Sequence, residues 1–243
     1  MLNYSSTNNN TKSFMHYLPA HPFKPLLNFP YHCCTFDVDQ FEQTDFPKNN
    51  VVMPAKLANA VPKRRAEYLA GRICAHTALA QMGIEHVCVE TAEDRAPIWP
   101  QNIIGSISHT QGIALAMTAL EHQLQGLGID IEKHMSRSQE TKLKGQILHP
   151  LETGIHTTLE QYVPCPLTVI FSAKESIYKA LYPSVKRFFG FEAAQLIDFD
   201  SQKLLFVITE SLSPSVQKGM QVEVCYQLNE QLVLTECAFK SAQ

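Results

Sequence analysis

The sequence predicts an α+β fold, a pseudo-twofold arrangement of two similar halves, each a helix followed by an antiparallel β-meander. Three observations carry that expectation. A helical stretch over 62–82 is followed by strand-like pieces up to 132, and a second helical region over 138–181 is followed by strand-like pieces up to 239. Strands do not alternate singly with helices, and neither G-x-G-x-x-G nor G-x-x-x-x-G-K-[ST] occurs, which argues against a doubly wound sheet. The residues themselves show no repeat, so the likeness of the halves rests on element order.

Along the chain, residues 1–45 read as an irregular N-terminal segment, 46–124 as the N-terminal half and 125–243 as the C-terminal half. The Asn- and Ser-rich start, 1–11, lacks the apolar core of a signal peptide and reads as a frayed, solvated tail. Residues 16–56 are rich in Pro and aromatics without a sustained period, with a short strand expected at 32–38. Pro62 suits the first position of a helix that Gly83 stops, and Leu69, Ile73, Leu79 and Met82 follow its apolar stripe. Strands are expected at 86–91, 104–109, 113–119 and 125–132, separated by turns carrying Pro97, Pro100 and Gly112. Helices follow at 138–148 and 172–181, the latter ended by Pro183, then strands at 195–199, 204–209, 221–228 and 232–239.

Composition narrows the function. With 45% hydrophobic residues the chain is globular, and 20 Lys plus Arg against 23 Asp plus Glu leave a net charge of −3. That sign argues against a globally basic nucleic-acid binder, so an anionic ligand has to be held by a local cluster. No stretch approaches the ~18 apolar residues of a membrane span, and a cytoplasmic location is expected. Seven cysteines without a C-x-x-C pair read as buried small hydrophobes, and ten histidines without H-E-x-x-H or H-x₃-H spacing argue against zinc.

Four groups of residues could carry chemistry. In Gly128-Ile129-Asp130-Ile131-Glu132, strand alternation puts Asp130 and Glu132 on one face, where two carboxylates repel unless a cation lies between them. Oxygen ligands favour Mg²⁺ or Mn²⁺; the alternative is an ordinary solvated acidic face. In Phe171-Ser172-Ala173-Lys174-Glu175-Ser176-Ile177-Tyr178-Lys179, Ser172 and Glu175 have capping-box spacing and Glu175 with Lys179 an i,i+4 pair. The same spacing could supply Glu175 as a third metal ligand or as a base, and Lys179 as a point charge for phosphate. Lys63, Arg64 and Arg65 crowd the positive end of a helix dipole, which suggests either a bound anion or a solvated turn. Arg65 and Arg72 face the same way, with Arg64 about 80° round from Arg72. Finally Arg95, next to Ala96-Pro97-Ile98-Trp99-Pro100, precedes Gly105-Ser106-Ile107-Ser108-His109, where a strand ends in hydrogen-bonding groups.

In this order the four groups resemble one family, the 4′-phosphopantetheinyl transferases of the surfactin-synthetase-activating type. G-[IV]-D-x-E is matched at 128–132 and [FW]-S-x-K-E-x-x-x-K at 171–179. The W-P…G-S-I-S-H-T block, R-R-x-E-x-x-x-G-R at 64–72 and Phe188-Phe189-Gly190-Phe191 are similar to the enterobactin synthetase component D branch. The resemblance implies that family's fold, coenzyme A as co-substrate, and transfer of its 4′-phosphopantetheine to a serine of an apo acyl or peptidyl carrier protein. Siderophore or other nonribosomal peptide synthesis is the implied setting. It further implies Asp130, Glu132 and Glu175 as Mg²⁺ ligands and Glu175 as the base. Lys179 would lie on the pyrophosphate, Ser108 and His109 on the coenzyme's phosphates, and Arg64 and Arg72 on its 3′-phosphate end. Arg65 stands as the alternative there if helix facing decides, and Arg95 as a further phosphate contact. Lys186-Arg187-Phe188-Phe189 reads as a dock for an acidic carrier, and a monomer is expected because two halves can wall one cleft. The alternatives are a Mg²⁺-dependent nucleotide-diphosphate phosphohydrolase and a non-catalytic carrier-binding module.

Overall fold

In the computed structural model, which describes residues 13–16 and 22–240, the apolar runs at 113–120, 126–133 and 232–239 become strands buried on both faces. Residues 1–11, expected as a tail, lie outside the described residues. In chain order the elements are β1 (Met15–His16), β2 (Tyr31–Phe36), the single turn α1 (Asp45–Lys48), α2 (Pro62–Ala80), β3 (Glu90–Thr91), β4 (Pro97–Ile98), β5 (Ile103–Thr110), β6 (Ile113–Leu120) and β7 (Gly126–Lys133). They continue with α3 (Arg137–Ile147), α4 (Thr153–Leu159), α5 (Pro166–Val185), β8 (Ala194–Phe199), β9 (Lys203–Ile208), β10 (Gln221–Leu228) and β11 (Leu232–Phe239). The fold is α+β, with antiparallel sheets in the order β1-β2-β6-β5 and β7-β11-β10-β9-β8, and a small β3–β4 hairpin.

Three cores hold these elements. Leu69, Ile73, Cys74 and Leu79 of α2 pack on the first sheet, while Ile170, Ala173, Ile177 and Leu181 of α5 pack on the second. Between the sheets, Leu115 and Met117 of β6 meet Leu127, Ile129 and Ile131 of β7 and Leu234 of β11. Because side chains alternate, the residues of β7 opposite Ile129 and Ile131 face α5, and these are Gly126, Gly128 and Asp130. A Cβ at Gly128 would run into the Ser176 carbonyl oxygen, and one at Gly126 into that of Ala180. The two glycines let the backbone of α5 lie directly on β7. That close approach brings residues 172–179 against the strand that carries Asp130.

Several sequence expectations change. Within the segment expected as irregular, the short strand expected at 32–38 is β2, and it pairs with β6 along its length. The backbone N–H groups of Leu26 and Leu27 donate to the buried Glu236 carboxylate of β11. The order within each half is also not helix first. A strand precedes the main helix and then pairs with the last strand of its meander, β2 with β6 and β7 with β11. That pairing is long-range and leaves no local signal. The strand expected at 86–91 shrinks to Glu90–Thr91. The helix expected from 172 begins at Pro166, runs through Pro183 and ends with Lys186 in a left-handed conformation. Ser172 is therefore six residues inside α5 and not its cap. The run Pro166-Leu-Thr-Val-Ile-Phe is β-branched and apolar, and burial against the second sheet outweighs its weak helix propensity. The seven-residue α4 was not anticipated at all.

Replacing Gly128 with Ala should destabilise the protein by about 1–3 kcal/mol or more, because the new methyl meets helix backbone rather than a flexible side chain. Gly145→Ala in α3, where a Cβ has open space, should instead stabilise by roughly 0.5–1 kcal/mol. Urea midpoints of the two variants check this pair.

Candidate active site

The seam between the sheets is made by β5 and β7, each an end strand of its own sheet. Ser106 Oγ accepts from the Ile129 N–H at 3.0 Å, and Ser108 Oγ accepts from the Ile131 N–H at 3.2 Å. Ser108 then donates its own proton to Asp130 Oδ1 at 2.8 Å. Asp130 is 3% exposed and collects two further partners from α5. Lys179 Nζ donates to Oδ1 at 2.7 Å and also to the Ile129 carbonyl, and Ser172 Oγ donates to Oδ2 at 2.9 Å. Buried charge is tolerated where it is paired and hydrogen-bonded, and here both conditions hold. Behind Ser172, Thr235 and Ser176 continue a buried hydroxyl network into β11.

Glu132 and Glu175 flank this carboxylate, half-buried. Burial, then the negative charges of Asp130 and Glu175, push the Glu132 carboxyl up to about 8, Lys179 pulling the other way. Glu175 is pushed up too, mainly by burial, with Asp130 adding to the shift and Lys179 opposing it. Three mutually repelling carboxylates form an oxygen-only donor set whose chemistry suits a hard divalent cation. The side chains are not gathered for one as they stand: among the described residues no three His, Cys, Asp or Glu groups could hold a metal ion together. Asp130 is turned to its three protein partners instead, and Lys179 pairs with it rather than with Glu175.

Beside the carboxylates, a cavity of about 930 Å³ opens between the halves. Its cations are Lys56, Arg64, Arg72, Arg95, Lys179 and Lys186, with His109 among them; its acids are Glu67 and Asp94. A chain of net charge −3 thus concentrates positive charge at one place. Trp99 lies against Gly105, where any Cβ would strike the indole ring. Trp99, Pro97, Ile103 and Ile107 give the cavity an apolar side. Arg72 is buried, donates to the Glu90 carbonyl and to Thr91 Oγ1 of the hairpin, and lies 4.4 Å from the Tyr68 ring centre. Among the described residues its Nε has no hydrogen-bond partner. Tyr182 of α5 donates to Asp94 of the β3–β4 turn, joining the halves across the cavity.

Of the residues singled out from sequence, Arg64, Arg72, Arg95, His109 and Lys179 line this one cavity, and Asp130, Glu132 and Glu175 lie next to it. Two do not reach it. Arg65 turns to Gln43 at 3.5 Å, because the segment before α2 folds over that side of the helix; the long side chain of Arg64 bridges the 80° offset. Ser108 has its hydroxyl committed to Asp130 and the β7 backbone. The sequence reading quoted Glu67 as the acid of R-R-x-E-x-x-x-G-R without giving it a role, and passed over Tyr68, Thr91 and the Asp94–Tyr182 pair. Glu67 had a signal, one turn after Lys63 and Arg64; the others depend on contacts between distant segments.

The family model of the 4′-phosphopantetheinyl transferase N-terminal domain matches residues 53–119, and that of the 4′-phosphopantetheinyl transferase superfamily matches 126–234. Enterobactin synthase component D of Salmonella typhi is 35% identical over 187 residues, 76% of this chain and 75% of the relative. The Escherichia coli O157:H7 protein of that name is 32% identical over 221 residues, 90% and 97% of the two chains. The 4′-phosphopantetheinyl transferase Npt of Nocardia iowensis is 34% identical over 162 residues, 65% and 72%.

The different directions of neighbouring arginines make a simple expectation. Arg64→Ala should weaken binding of inorganic pyrophosphate about tenfold or more, the worth of one charge-assisted hydrogen bond. Arg65→Ala should leave it unchanged, and titration calorimetry on both variants reads the contrast.

Proposed function

This chain belongs to the 4′-phosphopantetheinyl transferase superfamily and is an enzyme of that kind, resembling enterobactin synthase component D, and we propose that it modifies carrier proteins of siderophore-type nonribosomal peptide synthesis. The donor is coenzyme A and the acceptor a serine hydroxyl of an apo acyl or peptidyl carrier protein. The observation that supports this reading best is the cavity on the seam, where six cations converge beside three carboxylates in a chain of net negative charge. A long ligand with a diphosphate, a third phosphate and apolar portions suits a pocket with a cationic wall and an apolar side.

The reaction joins the serine oxygen to the phosphorus that carries pantetheine and breaks that phosphorus's bond to the oxygen of adenosine 3′,5′-bisphosphate. Little covalent help is required of the protein; positioning and charge neutralisation dominate. Arg64, Arg72, Arg95 and His109 bind the phosphates, and Lys179 steadies charge on the diphosphate from between the cavity and Asp130. Glu175 takes the serine proton, and burial raises its affinity for protons, which makes it the stronger base. Asp130, Glu132 and Glu175 would hold a magnesium or manganese ion, which when bound neutralises diphosphate charge. Ser108 and Ser172 act on the reaction only through Asp130, whose orientation they set. Beyond the end of α5, Phe188 is 79% exposed beside Lys186 and Arg187, a cationic and apolar surface for an acidic carrier. Both walls of the cavity come from one chain, so a monomer suffices.

Incubated with coenzyme A and Mg²⁺, an apo-carrier should gain the mass of one phosphopantetheine arm; coenzyme consumed with no modified carrier would defeat the reading. Glu175→Gln should lower kcat about 10²–10⁴-fold, the usual worth of a general base. For Phe188→Ala the expected result is a several-fold higher KM for carrier with an unchanged KM for coenzyme A, measured by steady-state kinetics.

A further inference from the structure

Glu67 is the acid least expected in a wall built for anions. It is on α2, its side chain is 13% exposed, and three cationic or basic groups surround it without a close hydrogen bond. Lys63 Nζ is 3.8 Å from Oε1, Arg64 Nη1 is 3.7 Å from Oε2, and His109 Nδ1 is 4.0 Å from Oε2. The other acid of the cavity, Asp94, is already bonded to Tyr182. Glu67 has no such partner of its own in the opposite half.

The His109 ring shows what Glu67 does. Its Nε2 lies 3.1 Å from Arg64 Nη1, and a guanidinium can only donate. Nε2 is therefore the acceptor, and the single proton of the neutral ring sits on Nδ1, on the side of Glu67. Burial lowers the proton affinity of this ring, and of the charged groups facing it, Arg64 on α2 and Lys179 on α5 lower it further. Glu67 on α2 and Asp130 on β7 oppose them. The free protein thus keeps a neutral imidazole among cations.

We propose that Glu67 is a positioning residue that couples phosphate binding to uptake of one proton by His109. A phosphate entering the cavity draws the Arg64 guanidinium to itself and frees Nε2. Nε2 then takes a proton from solvent and, keeping it, hydrogen-bonds through it to a phosphate oxygen, while Glu67 faces the Nδ1–H of the resulting imidazolium. The ring gains one proton and one positive charge, and no other bond is made or broken. This deepens the reading of the cavity as a phosphate site and rests on it. It adds a cation to the site only when an anion is present, which limits self-repulsion in the empty cavity.

Nitrogen-edited NMR of the His109 ring near pH 7 tests this directly, since its ¹⁵N shifts separate the two neutral tautomers from the doubly protonated ring. The expected result is Nδ1–H in the free protein and a doubly protonated ring with saturating coenzyme A. In Glu67→Gln the ring should stay singly protonated with ligand bound. Affinity should fall about tenfold, one pKa unit of lost coupling, and recover as pH is lowered; Glu67→Asp should restore part of it. An Nε2–H tautomer in the free protein, a ring that stays neutral under bound ligand, or equal charging in Glu67→Gln would each overturn the proposal. A loss of affinity in Glu67→Gln that is the same at every pH would reduce Glu67 to a support for Arg64 and overturn it as well. Cavity signals that do not respond to coenzyme A at all would instead remove the phosphate-site reading beneath it.

Discussion

Asp130 ties this structure together. One carboxylate, buried on β7, accepts from Ser108 of the first sheet and from Ser172 and Lys179 of the long helix on the second. The seam between the halves, the lie of α5 on β7 and the place of Lys179 at the cavity all pass through it. Removing one partner of such a group leaves a buried charge uncompensated, at a cost of several kcal/mol. The absent side chains of Gly126 and Gly128 are the steric counterpart, since only with them missing can α5 come within reach of Asp130. The same five-residue stretch therefore supplies both the close approach and the charge that is approached. A substitution at Asp130 tests architecture and chemistry at once, which makes Glu175 the cleaner probe of the reaction.

Around that point the protein gathers like charges into two neighbouring groups. Carboxylates of β7 and α5 form one cluster, cations of α2, the hairpin and α5 line the neighbouring cavity, and Lys179 belongs to both. Burial makes each group costly to ionise alone, and the shifts of Glu132 and Glu175 upward and of His109 downward express that cost. A site strained in this way gains from a ligand that brings the missing opposite charges. A phosphate-bearing ligand would answer the cations, and a divalent cation would answer the carboxylates. Perturbed groups collected beside one pocket are what binding and catalysis need, and they are hard to explain as surface decoration. Another buried ion pair among the described residues, Lys174 with Glu152, joins α5 to the segment before α4.

How far the sequence could be read depended on the range of each contact. Elements with a local signal were legible to within a few residues. Pro62 and Gly83 bracket α2, and the alternating runs of β10 and β11 are found at 221–228 and 232–239. The shared face of Asp130 and Glu132 followed from strand alternation alone. The start of α5 was misjudged because Ser172 and Glu175 imitate a helix cap, whereas burial of the preceding Leu-Thr-Val-Ile run makes it helix. Arg64 and Arg65 could not be told apart, because the packing of the segment before α2 decides which side of the helix stays open. The order of neighbouring residues thus determined which chemical groups this protein owns, roughly where its helices and strands lie, and which family it resembles. Only the tertiary structure decided which groups face one another, because Ser108, Asp130, Ser172 and Lys179 meet through backbone pairing and helix docking between segments far apart in the chain, and no local propensity encodes such a meeting.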